Sequence, residues 1–248
     1  MPKWLKGLLV LAFWLVIWQL VALAVGSDLL FPGPWTVAAA LVSQGGTAVF
    51  WQITVTSLLR VFGGLAAGVV LGTAVAALTC ASRWCDALLS PAVKVVRATP
   101  VASFILLVLL WVTTGLVPVV IAALMVLPVV WGNVSKGIRQ TDPALLELAQ
   151  VYRFGRGKTL RLIYLPSVAP YFVAGVETGL GLAWKAGVAA EVLCRPRFAV
   201  GTQVSTARNS LETPDLFAWT LVVILLSFLL EYALVHLLRK GVGDHAGS

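Results

Sequence analysis

Glu177 and Lys185 fall in one long apolar stretch, with Trp184 beside the lysine; Arg60 falls in another, and Glu191 closes the first. A charge in such a run costs about 2.5–3.5 kcal/mol on insertion scales, so it faces protein or water and marks a path for a solute or ion. On a helix the eight residues from Glu177 to Lys185 rise about 12 Å and turn about 80°, so the two share a broad face without touching. Lys185 can offer positive potential to an anion; the competing reading is an ion pair that locks this helix to a neighbour. Arg60 is placed to snorkel to headgroups or to line the same path. Glu191, followed by Arg195 and Arg197, reads as a structural group shaping an outer gate.

The second constellation is "ELAQVYRFGRGKTLRLIYLP", residues 147–166, a polar segment with Arg153, Arg156, Lys158 and Arg161 in an otherwise oily chain. It holds no catalytic set. Both histidines, His236 and His245, lie near the C-terminal end, and no paired Asp, Ser/His or metal pattern accompanies them. Cys80, Cys85 and Cys194 form no CxxC pair, which argues against a metal site or a disulfide framework. A Gly-rich phosphate loop with Lys-Ser/Thr is missing, so the chain is not expected to hydrolyse ATP. The net charge of +8 comes without aromatic–basic interleaving, which argues against nucleic acid.

The elements that must hold these residues are membrane helices. The chain has 248 residues, 60% hydrophobic and 11% charged, with mean hydropathy +0.96. A soluble domain carries about twice that charged fraction. The start, "MPKWLKGLLVLAFWLVIWQLVALAVGS", looks secretory, but its uncharged run from Gly7 to Ser27 exceeds the roughly 7–15 residues of a signal core. It is read as an uncleaved first span, residues 4–25. Further spans are expected at about 52–79, 167–191 and 216–238. The 38 uncharged residues from Ala98 to Ser135 are too long for one crossing of about 20 residues. They are divided at "TTGLVP", 113–118, into a short third helix and a fourth. The fold class is therefore all-α, a polytopic membrane protein with six spans.

With both termini in the cytoplasm, thirteen of the 18 Lys and Arg fall on inside segments and three outside, which sets the orientation. Residues 141–166 then form a cytoplasmic loop. Thr141 or Asp142 can cap a short helix with Pro143 in its first turn and Glu147 near its positive end. Leu145, Leu148 and Ala149 make a small apolar face. Gly155 and Gly157 permit a turn, and "TLRLIYLP" makes a second amphipathic piece stopped by Pro166.

This segment resembles the coupling loop of permease subunits in ABC importers, in which Glu-Ala-Ala is followed by a Gly and closes in Leu-Pro. Glu147, Ala149, Leu165 and Pro166 fall on matching positions; Leu148 replaces the first Ala, and Arg153 stands where the family usually has Gly, with Gly155 two residues on. "TVTSLLRVFGGLAAGVVLGTAVAAL", "RATPVASFILLVLLWVTTG" and "GVETGLGLAWKAGVAAEVL" are similar to the second, third and fifth helices of the nitrate/sulfonate/taurine branch.

The resemblance implies the type I ABC importer permease fold: a single transmembrane domain over 1–248, with a permease core at 50–240 and a cytoplasmic coupling helix in 141–166. Glu147, Ala149, Arg153, Phe154, Gly155, Leu165 and Pro166 would engage the ATPase. Glu177, Trp184, Lys185 and Arg60 would line the path, and Glu191 would serve the outer gate. The implied partners are a second permease subunit (a homodimer), two cytoplasmic ABC ATPase subunits that bind ATP and Mg, an extracytoplasmic substrate-binding protein, and the lipid bilayer of a prokaryotic inner membrane. The chain itself would hold no cofactor, and its cargo would be a small anionic solute. A stand-alone secondary transporter or channel is the alternative, against which stand the six spans and the lack of an internal repeat.

Overall fold

The computed structural model describes the backbone of Lys3–Gly243 and the side chains from Trp4 to Ala233. His236, expected near the inner interface, and His245, Arg239 and Lys240 lie outside the described side chains. The chain forms two compact units, one of residues through Ser57 with Glu191–Leu226, the other of Leu58–Ala190 with residues from Ser227 on.

In the first unit, α1 (Lys3–Val25) is apolar on all sides and exposed along most of its length, as a lipid-facing helix is. Trp18 Nε1 donates to the carbonyl of Pro32 at 3.0 Å, anchoring α1 just ahead of α2 (Pro34–Gly45). The unit's core joins Phe50 and Ile53 of α3 (Ala48–Ala81), Val200, and Trp219 and Val222 of the last helix. Phe50 stacks on Trp219 at 5.1 Å.

The second unit is built around α6 (Val117–Arg139), the most enclosed of the long helices. On α3, Gly64, Gly68 and Gly72 recur every four residues. A Cβ at Gly64 would lie 2.5 Å from that of Ala122, and one at Gly68 2.6 Å from that of Val126. The two backbones therefore touch, the small-residue packing that membrane helices use where apolar burial gives no drive. Gly175 and Gly179 of α9 (Leu165–Cys194) likewise abut Asn133 and Val126 of α6. These two α9 glycines serve close packing.

Among the described residues, five helices are long and apolar enough to cross a membrane, six if a bent pair counts as one span. The pair is α4 (Arg83–Ala98) and α5 (Val101–Val108), bent by 106°. The expected third helix is thus only eight residues long. Its break is at Pro100: Thr99 before it is extended, with ψ 133°, as steric conflict with the proline ring requires. Helix α4 falls where the sequence suggests no more than an inside segment, yet it carries its own signals. Ser82 caps Cys85 N at 3.5 Å, Asp86 lies in the first turn and Arg97 in the last.

Helix α7 (Pro143–Val151) starts as expected, with Asp142 accepting from Ala144 N at 2.9 Å and Pro143 in the first position. Pro166, however, stops nothing. A helical turn α8 (Arg156–Thr159) and a π-turn (Leu160–Tyr164) run into α9 without a break, so the helix is continuous over Arg156–Cys194. The π-turn supplies the reason. Leu165 N donates to Leu160 O, a wider ring than the α pattern, and such a bulge gives room to a ring that would clash with a carbonyl four residues back. The last described elements are α10 (Val200–Asn209) and α11 (Thr213–Gly243).

Candidate functional site

The segment 143–164 forms a knob. Helix α7 closes with two reciprocal bonds, Arg153 N to Gln150 O at 3.0 Å and Phe154 N to Ala149 O at 2.8 Å. This is the C-terminal motif in which the residue after the cap takes a left-handed backbone, usually as glycine. That residue is Arg153, at φ +51°. The turn was expected from Gly155 and Gly157, but Gly155 has φ −66° and begins α8. The left-handed position is the one where the resembling family has Gly, and the chain accepts an arginine there. Arg153→Gly is therefore expected to stabilise the chain by about 1 kcal/mol, since a left-handed L-residue costs about 1–2 kcal/mol and glycine returns part of that in chain entropy. A melting temperature raised by about 2–4 °C checks this; a lowered one counts against it.

Ala149 faces inward and is buried, whereas Leu145, Leu148 and Val151 of α7 and its C-cap Tyr152 stay exposed. The apolar face expected from 145, 148 and 149 is thus rotated: its solvent side adds Val151 and Tyr152. Glu147, Arg153, Arg156, Lys158 and Arg161 are exposed around it, Leu165 and Pro166 are exposed at the base, and Phe154 is half-buried. Lys158 Nζ lies 4.1 Å from the centre of the Phe154 ring, a cation–π contact that stiffens the turn.

The helix leaving the knob carries the charged stripe. Glu177, Gly181 and Lys185 follow at four-residue steps on α9, Glu177 half-buried and Lys185 exposed. Trp184, one residue round, is buried at 2% exposure. Glu231 of α11 lies against the middle of α9: its Oε1 is 3.5 Å from where a Cβ of Gly181 would stand. A glycine at that point leaves room for the carboxylate, a juxtaposition that needs the packing of α9 on α11 to be seen. Two carboxylates and one ammonium thus share the same stretch of the chain's outer surface. Arg60 is half-buried, twelve residues and so about 18 Å along α3 from its start, deeper than a helix end.

Glu191 is fully buried. Its Oε2 accepts from Ser57 Oγ at 2.9 Å and from Gly201 N at 3.1 Å, and Ser57 Oγ in turn accepts from Val200 N at 2.9 Å. Val200 and Gly201 open α10, whose N-cap, Ala199, makes no side-chain cap bond. The orphan N–H groups of that helix start are satisfied by residues distant in sequence, and the carboxylate also sits at the positive end of the helix dipole. Ser57, an unremarkable polar residue in an apolar run, gave no sequence signal of this.

Such a fold and site define an all-α, multi-pass membrane protein in which a helical knob is joined to a charge-bearing span. Residues 68–242 match the family described as binding-protein-dependent transport system inner membrane component, and the chain belongs to that family, the ABC importer permeases. The chain is 28% identical to the taurine transport system permease protein TauC of Escherichia coli over 237 residues, 93% of this chain and 86% of the relative. It is 30% identical to the putative aliphatic sulfonates transport permease protein SsuC of Bacillus subtilis, over 88% of this chain and 80% of the relative. It is 29% identical to the riboflavin transport system permease protein RibX of Chloroflexus aurantiacus, over 91% and 84%. A structure described as the crystal structure of an amino acid ABC transporter with histidines superposes with TM-score 0.63 at 17% identity, covering 77% of this chain and 91% of that one. It shares the fold. The chain is accordingly a transport component of the inner membrane, in the taurine, sulfonate, nitrate and bicarbonate branch, and not an enzyme.

Proposed function

We propose that two copies of this chain form the path of an ATP-driven importer for a small anionic solute, delivered by an extracytoplasmic binding protein. ATP and Mg are held by two cytoplasmic ATPase subunits, one seated on each knob. Both termini are cytoplasmic, so the basic knob faces the ATPases. One observation carries the reading: the knob runs into the charge-bearing span through an unbroken helix, Arg156–Cys194. A push on α7 enters that helix through the turn at 152–155 and is carried along it to Glu177 and Lys185.

The stripe supports the paired state. Ionised groups at mid-span do not face lipid, so the exposed Lys185, with Glu177 and Glu231, faces a second subunit or the water-filled path. Lys185 offers the positive potential for an acidic group. The names of the relatives agree with small solutes, several of them acidic. The test is uptake into proteoliposomes containing the chain, the cognate ATPase and the binding protein. Uptake is expected only with ATP, and only with the binding protein present. ATP-independent uptake by the chain alone would instead establish a secondary carrier.

A further inference from the structure

At the basic end of the second unit, α4 and α6 line an open cavity of about 520 Å³. Its walls are two helical stripes with four-residue steps, Asp86, Ser90 and Lys94 on α4 and Trp131, Ser135 and Arg139 on α6, with Lys136 alongside. The three cations outnumber the single acid, and that acid is already engaged: Arg139 reaches Asp86 at 3.7 Å and Ser90 Oγ donates to it. Trp131 Nε1 is likewise taken, donating to Thr79 Oγ1 at 3.1 Å.

Ser135 is different. It is 7% exposed, and its hydroxyl has no hydrogen-bond partner among the described residues. Buried polar side-chain atoms are in large majority partnered, so a hydroxyl left over in the wall of a cationic cavity points to an acceptor that the chain itself does not supply. Gly132 keeps the space open beside it, since a Cβ there would meet nothing within 4 Å. Helix α4 is amphipathic and α6 ends its apolar run at Lys136, which places the cavity at a membrane boundary.

We infer that this cavity binds the phosphate group of an anion, with Lys94, Lys136 and Arg139 supplying charge and Ser135 Oγ donating to a phosphate oxygen. Basic pockets between membrane helices on the cytoplasmic side hold anionic lipid headgroups, and the position suits one; a soluble phosphate offers the same chemistry. That the cavity opens to the cytoplasmic leaflet rests on the orientation proposed above, whereas the phosphate chemistry does not.

The experiment is native mass spectrometry of the detergent-purified full chain, titrated with phosphatidylglycerol, cardiolipin or phosphatidylcholine, and separately with inorganic phosphate as competitor. The wild-type chain is expected to retain the anionic lipids at least about tenfold better than phosphatidylcholine, from roughly a fivefold gain per engaged base. Gly132→Leu, which fills empty space, and Lys94→Gln with Lys136→Gln should each remove most of that preference, and Ser135→Ala should weaken it. Lipid retained in the presence of millimolar phosphate assigns the site to a headgroup; displacement, with phosphate itself bound, assigns it to a soluble phosphate. Either result upholds a phosphate site. Equal retention of all lipids together with no phosphate binding, or an unchanged preference in Gly132→Leu, overturns it. Protease access to residues 153–158 in sealed vesicles reports sidedness independently, so failure of the cavity and failure of the transport orientation are told apart.

Discussion

Glu191→Ala is expected to leave a chain that barely folds, melting far below the wild type and accumulating poorly in the membrane. The substitution strips the acceptor from Ser57 Oγ and from Gly201 N, both deeply buried. Each unsatisfied buried group costs about 1–3 kcal/mol, and hydrogen bonds to a charged group are the stronger ones. The loss is therefore roughly 3–5 kcal/mol, a large part of the about 5–15 kcal/mol that holds a domain together. Glu191→Gln keeps the shape and one acceptor oxygen but removes the charge from the start of α10, so a loss of about 1–2 kcal/mol is expected. Ser57→Ala should resemble Glu191→Ala, because Ser57 relays the same network to Val200 N. The double variant should lose less than the sum of the two, since both act on one network. Thermal unfolding in detergent, followed by intrinsic fluorescence, is the measurement. A Glu191→Ala chain that melts within a degree of the wild type would remove the carboxylate from any structural role. Glu191 fixes the end of α9 to the start of α10.

What the sequence carries well follows from period and composition. The long spans were legible because twenty or so apolar residues without charge have few other uses, and α7 was legible because Asp142 and Pro143 have fixed places at a helix start. The misread points share one cause, the dependence of a local signal on packing beyond it. Pro166 reads as a stop until the π-turn at Leu160–Tyr164 makes room for its ring. The eight residues of α5 belong to an apolar run long enough for a span; only the extended Thr99 before Pro100 shows where it bends. In the site, Glu177 and Lys185 could be placed on one face by arithmetic, but Glu231 joins them only because Gly181 opposite has no side chain. Ser57 has a sequence context like that of any hydroxyl in a membrane helix, and its role depends on residues 134 and more positions away.

Leu148→Asp combined with Tyr152→Asp is expected to abolish ATP-dependent uptake while leaving the spans folded. Both side chains are exposed on α7, at 49% and 68%, so neither replacement opens a cavity, and the melting temperature should stay within about 1–2 °C of the wild type, as for surface substitutions generally. In the complex proposed here the same two side chains are the centre of the seat for the ATPase. A buried aromatic or large apolar anchor at an interface is worth about 2 kcal/mol or more, and placing a carboxylate there adds desolvation that nothing repays. Two such changes predict at least about a thousandfold loss of affinity, enough that the ATPase no longer co-purifies and its rate no longer responds to the binding protein. Glu147→Ala, on the neighbouring exposed position, should act more gently: the ATPase stays bound but its turnover separates from uptake, because Glu147 orients the ATPase on the knob while the apolar side chains hold it there. The order of effects distinguishes a lever from a passive basic loop. A loop present only to satisfy the charge asymmetry of the membrane would tolerate all three changes, since none touches Arg153, Arg156, Lys158 or Arg161, and uptake at the wild-type rate in the double variant would mean that α7 is such a loop.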